Sequence, residues 1–135
     1  MVIEFEFLEQ FCESVLSDAP SLRWAGIANH NGVILSQKTR SSTTLLLSHE
    51  ENEEYATNAI ARQKTRGKFE SQIGRLTYAF GRYQKLLRAT IPINAKLFLL
   101  VTFDPSEHEF DSIITDRILK KIDQSKDRFL QMSLD

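Results

Sequence analysis

The sequence predicts an α+β domain whose elements follow in the order helix, strand, strand, helix, strand, strand, strand, helix. Apolar residues recur at intervals of three and four near both ends of the chain, which is the pattern of amphipathic helices. Between these ends lie five shorter runs, rich in aliphatic, β-branched and aromatic residues, that are typical of strands. A strongly charged stretch with a helix-start signal separates the first two strands from the last three.

The first helix is indicated by one apolar face and is expected to end before Pro20. Ile3, Phe5 and Phe7 also alternate with glutamates, which is a short strand pattern, so the residue at which the helix begins stays open. Cys12 falls on the apolar face, which favours a small buried side chain over a reactive thiol. The face consists of Phe5, Leu8, Phe11, Cys12, Val15 and Leu16.

A β-hairpin is expected next. Residues 22–29 and 33–35 are rich in strand-forming types, and residues 30–32 between them tolerate the positive φ of a tight turn. The polar residues 36–44 are expected to form a loop, and the three leucines at 45–47 a flap over the core.

The middle helix has one of the two well-marked helix starts in the chain, because Ser48 and Glu51 have the spacing of a capping box. Acidic residues crowd its opening turns and basic residues its end, an order that complements the helix dipole. Its apolar residues are few, so it can make only a narrow contact with the sheet; they are mainly Tyr55, Ala56, Ala59 and Ile60. The helix either ends at Gly67 or continues to Gly74.

Three strands are predicted at 76–81, 86–93 and 96–103, and the short connections between them suit an antiparallel meander. Residues 97–101 are apolar without alternation, which predicts a strand in the middle of a sheet that helices cover on both faces. Residues 76–81 alternate, as a less buried or edge strand does.

The last helix is expected to start at Asp104, Pro105 and Glu107, which again combine a cap, a proline at the first helical position and an acid. Its apolar face, which should pack on the sheet, consists of Phe110, Ile113, Ile114, Ile118, Ile122 and Phe129.

Length and composition predict one domain over 1–135, since 135 residues that are 41% hydrophobic can bury a sizeable core. The net charge of -1 gives no overall attraction to nucleic acid or to an anionic membrane. Cys12 is the single cysteine, the N-terminus lacks the pattern of a signal peptide, and residues 97–103 are too few to span a bilayer. We therefore expect a cytoplasmic protein.

No pattern in the sequence indicates catalysis, a bound metal or a cofactor. The HExxH zinc pattern fails after His49 and Glu50, since the second histidine is missing. The acids around His108 are interpreted as ordinary dipole partners at a helix start rather than as metal ligands. The glycines stand singly, unlike a phosphate-binding loop, and no serine lies in a G-x-S-x-G elbow.

Basic and aromatic residues gather around the middle helix and the third strand, so a single-stranded nucleic-acid binder is one alternative. Nearby glutamates neutralise much of this charge and the glycine-aromatic RNA-binding motif is absent, which favours a solvated surface. The group comprises Arg62, Lys64, Arg66, Lys68, Arg75, Arg82 and Lys85, with Tyr78, Phe80 and Tyr83.

The order of elements and two segments resemble the roadblock family, also called the dynein light chain 7 family. One segment is the hairpin, with Trp24-Ala25-Gly26-Ile27-Ala28 followed by Asn31-Gly32-Val33-Ile34-Leu35. The other is the closing strand, Leu97-Phe98-Leu99-Leu100-Val101-Thr102-Phe103-Asp104-Pro105, with the amphipathic helix after it. The chain also looks like a group of small uncharacterised archaeal proteins with a similar hairpin and a charged second helix.

The resemblance implies a five-stranded antiparallel sheet with the middle helix on one face and the terminal helices on the other. It also implies a non-enzymatic scaffold or regulator that dimerises and binds other proteins, such as a small GTPase. The charged middle helix departs from the commoner members and puts an apolar contact between two such helices in doubt. The alternative from another class is a profilin-like or PAS-like sensor, which needs a cavity for a small molecule.

In such a fold the third strand, 76–81, has a neighbour on one side only, and its other side offers unpaired backbone donors and acceptors. We therefore expect a homodimer, formed either through this strand or through the charged helix. The expected partner-binding residues are Tyr55, Ala59, Ile60 and Arg62 in the helix and Leu76, Thr77, Tyr78, Ala79 and Phe80 in the strand.

Overall fold

A computed structural model describes residues 3–133, so the outermost residues of the predicted domain lie outside it. The first half of the chain forms α1 (Phe5–Leu16), β1 (Leu22–Asn29), β2 (Ile34–Thr39), α2 (His49–Arg66) and α3 (Glu70–Ile73). The second half forms β3 (Ala79–Arg82), β4 (Leu87–Pro92), β5 (Leu97–Phe103), α4 (Phe110–Ser112), a π-helical segment (Ile113–Ile118), α5 (Leu119–Gln124) and α6 (Lys126–Ser133).

The five strands form one antiparallel sheet in the order β2-β1-β5-β4-β3. Every residue of β5 is buried, and this strand lies at the centre of the sheet, as its unbroken apolar run predicted. β3 forms one edge and pairs with β4 alone, which confirms the predicted edge strand.

One face of the sheet holds the main core, which α1 and the C-terminal helices cover. Phe7, Phe11 and Phe129 meet there with ring centroids 4.9–6.2 Å apart, and they join the two ends of the chain. Cys12 is fully buried in this core, and burial, followed by the charge of Glu9, raises the pKa of its thiol to about 12. The thiol is therefore an inert core group, as the helical pattern predicted.

α2 covers the other face and packs on a smaller apolar cluster, so the implied placement of the helices on the two faces is confirmed. Trp24 is 1% exposed beneath α2, and its indole N–H donates to Gln37 Oε1 at 3.0 Å. A Cβ at Gly26 would come within 2.6 Å of this indole, so the ring needs a glycine beneath it. The cluster consists of Trp24, Ala28, Ala56, Ala59 and Leu100, with Ile34 and Tyr55 at its border.

Two predicted helix boundaries are settled by the structure. α1 begins at Phe5, so the helical pattern prevails over the strand pattern at this end. The capping box of α2 is confirmed, because Glu51 N donates to Ser48 Oγ at 3.1 Å and Ser48 N to Glu51 Oε1 at 2.9 Å. α2 ends at Arg66, and a 3₁₀ turn and α3 carry the chain on to Gly74, whose φ of 88° only glycine adopts readily.

The loop predicted at 36–44 is wrong at its start, because β2 runs on to Thr39. β2 is the other edge of the sheet, and all six of its residues are partly exposed. Polar side chains can reach solvent from this strand, so they are compatible with it.

The third strand begins at Ala79, three residues later than predicted, so Leu76, Thr77 and Tyr78 lie outside the sheet. Tyr78 is held by the C-terminal helices instead: its hydroxyl donates to Asp111, and its ring packs on the main core. This tertiary contact takes the place of pairing with β4.

The helix start predicted at Asp104 and Pro105 is also wrong, because the last helical region begins at Phe110. The side chain of Glu107 accepts hydrogen bonds from Ser21 Oγ and from the backbone N–H of Glu109. These bonds, led by that from Ser21, lower the pKa of Glu107 and fix a turn where the cap was expected.

Candidate protein-binding edge

The backbone of β3 presents half of its polar groups to solvent. Tyr83 N donates to Leu86 O at 2.9 Å in the turn to β4, and Gly81 pairs with Arg88 further along the ladder. Because hydrogen-bonded and non-hydrogen-bonded positions alternate in an antiparallel pair, Ala79 and Gly81 direct their backbone groups to β4. Phe80 and Arg82 consequently direct theirs away from the sheet.

On the face of the sheet toward α1 and the C-terminal helices, side chains of the chain itself pack against this edge. The ring of Phe80 stacks on Phe110 at a centroid distance of 3.9 Å and an interplanar angle of 11°. The guanidinium of Arg82 lies 5.7 Å from the centre of the same Phe110 ring. The face toward α1 and the C-terminal helices is therefore covered up to the edge strand.

Above the edge, between β3 and α2, lies a cleft of about 150 Å³ that is lined by three arginines. Arg88, on β4, is 4% exposed and its guanidinium carbon lies 3.4 Å from the centre of the Tyr55 ring. Arg62, on α2, lies over the same ring at 5.5 Å. The residues that line the cleft are Tyr55, Arg62, Arg66, Ala79, Phe80, Gly81, Tyr83, Arg88 and Thr90.

The positive charge of the cleft is not balanced by a carboxylate of the described residues. Over residues 3–133, neither Arg62, Arg66 nor Arg88 forms an ion pair with a carboxylate. The Nη2 atom of Arg88 is buried and has no hydrogen-bond partner among the residues that the structure describes. Burial lowers the pKa of Arg88, because removal from water disfavours its charged form. Tyr55 stabilises this guanidinium only in part, and a buried charge without an ion-pair partner is costly, so the cleft favours an anionic group.

The structure brings some of the predicted partner-binding residues together and separates others. Tyr55, Arg62, Ala79 and Phe80 line the cleft, whereas Ala59 and Ile60 are 1% and 2% exposed and hold α2 on the sheet. Leu76 and Thr77 line a different cleft, beside α5 and α6, and Tyr78 binds Asp111.

Sequence reasoning missed Arg88 and Tyr83. The signal for Arg88 is a charged residue inside the otherwise uncharged run 86–93, because a lone charge in a buried strand needs a special environment. Tyr83 belongs to the basic and aromatic group but follows the predicted strand.

The described residues provide neither a metal site nor a membrane-spanning helix. Within the described part of the chain, no group of three histidine, cysteine or acidic side chains lies close enough to hold a metal ion. On the surface of α2, His49 Nε2 lies 2.6 Å from Glu53 Oε1, and His49 Nδ1 lies 3.2 Å from Gln37 Nε2. None of the helices described is both long enough and apolar enough to cross a membrane.

Comparisons with known proteins support the fold. A model of a family of unknown function, DUF6659, matches residues 2–134. No curated protein matches the sequence.

Three solved structures have similar folds at low identity. MglB of Myxococcus xanthus is 18% identical with a TM-score of 0.74, over 96% of this chain and 99% of that chain. An MglB with tetrameric arrangement is 12% identical with a TM-score of 0.78, over 99% of this chain and 96% of that chain. The Roadblock/LC7 domain from Streptomyces avermitilis is 10% identical with a TM-score of 0.71, over 91% of this chain and 98% of that chain. The chain therefore has a roadblock/LC7-like fold, as its sequence predicted.

Proposed function

The chain is a member of the family of unknown function DUF6659, and we propose that it is a non-enzymatic protein-binding domain, a cytoplasmic scaffold or regulator that acts as a homodimer. The observation that carries this proposal is the free edge of β3, where Phe80 and Arg82 direct unpaired backbone groups to solvent. A strand from a second copy satisfies these groups and closes the assembly about a two-fold axis.

The proposed register follows from the alternation along β3. Within β3, Phe80 and Arg82 direct their N–H and C=O groups outward, so the antiparallel register that uses both residues pairs Phe80 of one copy with Arg82 of the other. With Gly81 on the axis, Phe80 of each copy lies opposite Arg82 of the other. The sheets of the two copies then join into one continuous sheet, with both α2 helices on the same face.

A proline at position 82 tests this interface. Arg82 lies at a non-hydrogen-bonded position of the β3–β4 ladder, so Arg82→Pro removes an outward N–H while leaving the pairing with β4 in place. It deletes half of the N–H donors that cross the proposed interface, each worth about 0.5–1.5 kcal/mol. We expect dimerisation to weaken by about tenfold or more in analytical ultracentrifugation.

Arg82→Ala is the matched control, because it removes the same side chain and keeps the N–H; it should dimerise like the wild type. If Arg82→Pro dimerises as tightly as Arg82→Ala, the β3 interface is wrong. If the wild type is monomeric at about ten micromolar, the homodimer itself is wrong, since most specific complexes exceed this affinity.

The proposed partners are other proteins, with small GTPases as the first class to test. This choice rests on the resemblance to roadblock domains, and the fold shared with MglB supports it. Titration of the dimer with small GTPases, each loaded with GDP or a non-hydrolysable GTP analogue, should give binding that differs between the nucleotides. Equal and negligible heats with every GTPase in isothermal calorimetry would turn attention to partners of another class.

A further inference from the structure

The cleft between β3 and α2 is strongly basic for its size. Three arginines line it, Arg62 and Arg66 from α2 and Arg88 from β4, and none of the described residues that line it is acidic. Its volume of about 150 Å³ is below the range of about 300–1,000 Å³ that is usual for a drug-sized ligand. The cleft can therefore enclose one small group, and its charge favours a negative one.

Arg88 supplies positive charge from the floor of the cleft. Its side chain is 4% exposed, and the Tyr55 ring lies against the guanidinium carbon at 3.4 Å. Buried surroundings screen the field of a charge less than water does. An anion in the cleft is therefore attracted by Arg88 even without contact with the buried Nη2 atom.

The walls of the cleft provide donors that an anion can reach. Arg62 and Arg66 are exposed and lie about one helical turn apart, on the same side of α2. Arg66 Nη1 donates to Gln63 Oε1 at 3.4 Å, a neutral partner that orients the side chain and leaves its charge uncancelled. Tyr83 is exposed just after β3 and adds a phenol group. Donors thus come from α2 and from the strand edge.

A phosphate monoester suits these donors better than a carboxylate does. It carries about 1.5–2 negative charges at pH 7 and three strong acceptor oxygens, whereas a carboxylate carries a single charge and two oxygens in one plane. Guanidinium groups bind phosphate oxygens through paired N–H donors, and arginine clusters are a recurring way to recognise phosphate. A phosphodiester of nucleic acid carries only one charge per phosphate, so it compensates the three arginines less well.

We propose that the cleft between β3 and α2 is a binding site for one phosphate monoester group, held by Arg62 and Arg66 above the buried charge of Arg88. These residues belong to a single chain, so the inference goes beyond the proposed homodimer and does not require it. A free phosphate and the phosphate of a modified residue in a partner present the same chemistry to the site, and titration can distinguish these two sources.

NMR titration with inorganic phosphate tests the location of the site. Ala79, Gly81 and Tyr83 line the cleft, so their backbone amide signals should shift along a saturable curve. If phosphate shifts none of these signals, the site is wrong.

Three variants test which charges hold the phosphate. Arg88→Met and Arg62→Met should each weaken binding by about tenfold or more, because each removes a charged partner of the anion. Urea unfolding establishes that the variants are folded. Lys64→Met is the matched control: it removes a positive charge of the same helix outside the cleft and should bind phosphate like the wild type. If Lys64→Met loses as much affinity as Arg88→Met and Arg62→Met, the attraction is a general one and the site is wrong.

Further titrations identify the ligand. Tighter binding of N-acetyl-O-phosphoserine amide than of inorganic phosphate would support the site with a modified partner residue as the source, and equal affinities would support it with free phosphate. Acetate or a single-stranded oligonucleotide that binds as tightly as phosphate, and shifts the same amides, would overturn the monoester in favour of a carboxylate or of nucleic acid. Sedimentation of Arg82→Pro decides the homodimer separately, so either proposal can fail alone.

Discussion

The two edges of the sheet are built in opposite ways. Along β2, Lys38 forms an ion pair with Glu9 of α1 at 3.4 Å, and the pairing with β1 shifts register between Ile27 and Ala28. A lysine and a bulge are two of the devices that discourage a foreign strand from adding to an edge. β3 has neither a lysine nor a bulge, contains no proline and carries charge only at Arg82, although its length of four residues limits how much of a foreign strand can pair with it.

The contrast indicates that only the β3 edge is open to a further strand. Both edges have a row of unpaired backbone groups, so both could in principle extend the sheet. Protection of β2 limits growth to one direction, and an assembly that joins two β3 edges then ends at a dimer rather than a fibre. Substitutions can test this contrast, beginning with the strand that supports both edges.

Leu99→Ala should have the largest effect on the fold. Leu99 is fully buried in β5, where it lies opposite Ile27 of β1 and Ile91 of β4, so both halves of the sheet depend on it. We expect a loss of about 2–5 kcal/mol in the free energy of unfolding, measured with urea. Ile73→Ala is the control, because that side chain is 83% exposed. A loss below about 1 kcal/mol for Leu99→Ala would mean that the core is assigned wrongly.

Arg88→Met should separate assembly from folding at the open edge. It replaces a buried charge by an apolar group of similar length, a change that is often neutral or stabilising for the fold. The backbone pairing of two β3 strands does not use this charge, so the dimer should be unchanged, within about twofold. Sedimentation and urea unfolding together measure the two effects. Arg88→Lys, which retains the charge, is the control; a dimer that weakens in Arg88→Met but not in Arg88→Lys would show that the charge of the cleft contributes to the interface.

Thr39→Pro is the counterpart of Arg82→Pro on the protected edge. Arg40 N donates to Arg23 O at 2.9 Å, and the alternation of the ladder then directs the N–H of Thr39 away from the sheet. The substitution should lower the free energy of unfolding by less than about 1 kcal/mol, since no ladder hydrogen bond is lost. The dimer should be unchanged in sedimentation. If Thr39→Pro weakens the dimer as much as Arg82→Pro does, the two edges do not differ in the way proposed.

Lys38→Ala should have the smallest effect on the free energy of unfolding, measured at low protein concentration. Its ion pair with Glu9 is partly exposed, and such pairs contribute about 0–1 kcal/mol to stability. Without this lysine the β2 edge resembles β3, so light scattering should reveal association beyond the dimer as the concentration rises. Glu9→Gln is the control, because it removes the ion pair and keeps the lysine on the edge.

The central strand and the start of α2 could be predicted because their causes are local in the sequence. An unbroken apolar run such as 97–101 is compatible with a strand buried on both faces, and the capping box depends on residues three apart. The edge strands were harder. β2 is polar in sequence because it is half exposed, and β3 starts late because Tyr78 binds Asp111, which lies 33 residues away.

The candidate site was predicted in outline but not in composition. Alternation in 76–81 identified an edge strand, and the middle helix was expected to support the interface with Tyr55 and Arg62. Ala59 and Ile60 are buried against the chain's own sheet, and the apolar content of α2 could not distinguish that contact from one with a partner. Arg88 was missed because its environment is tertiary: the ring of Tyr55, thirty-three positions earlier, covers it.

Because Trp24 lies between Gly26 and α2, its intrinsic fluorescence reports on the contact between α2 and the sheet. The chain has one tryptophan, so its ultraviolet emission comes mainly from a ring that is 1% exposed beneath α2. A partner that lifts this helix admits water to the indole and shifts the emission to longer wavelength. A partner that binds over α1 leaves the spectrum unchanged. Fluorescence of the unlabelled protein can thus report which face of the sheet a ligand engages.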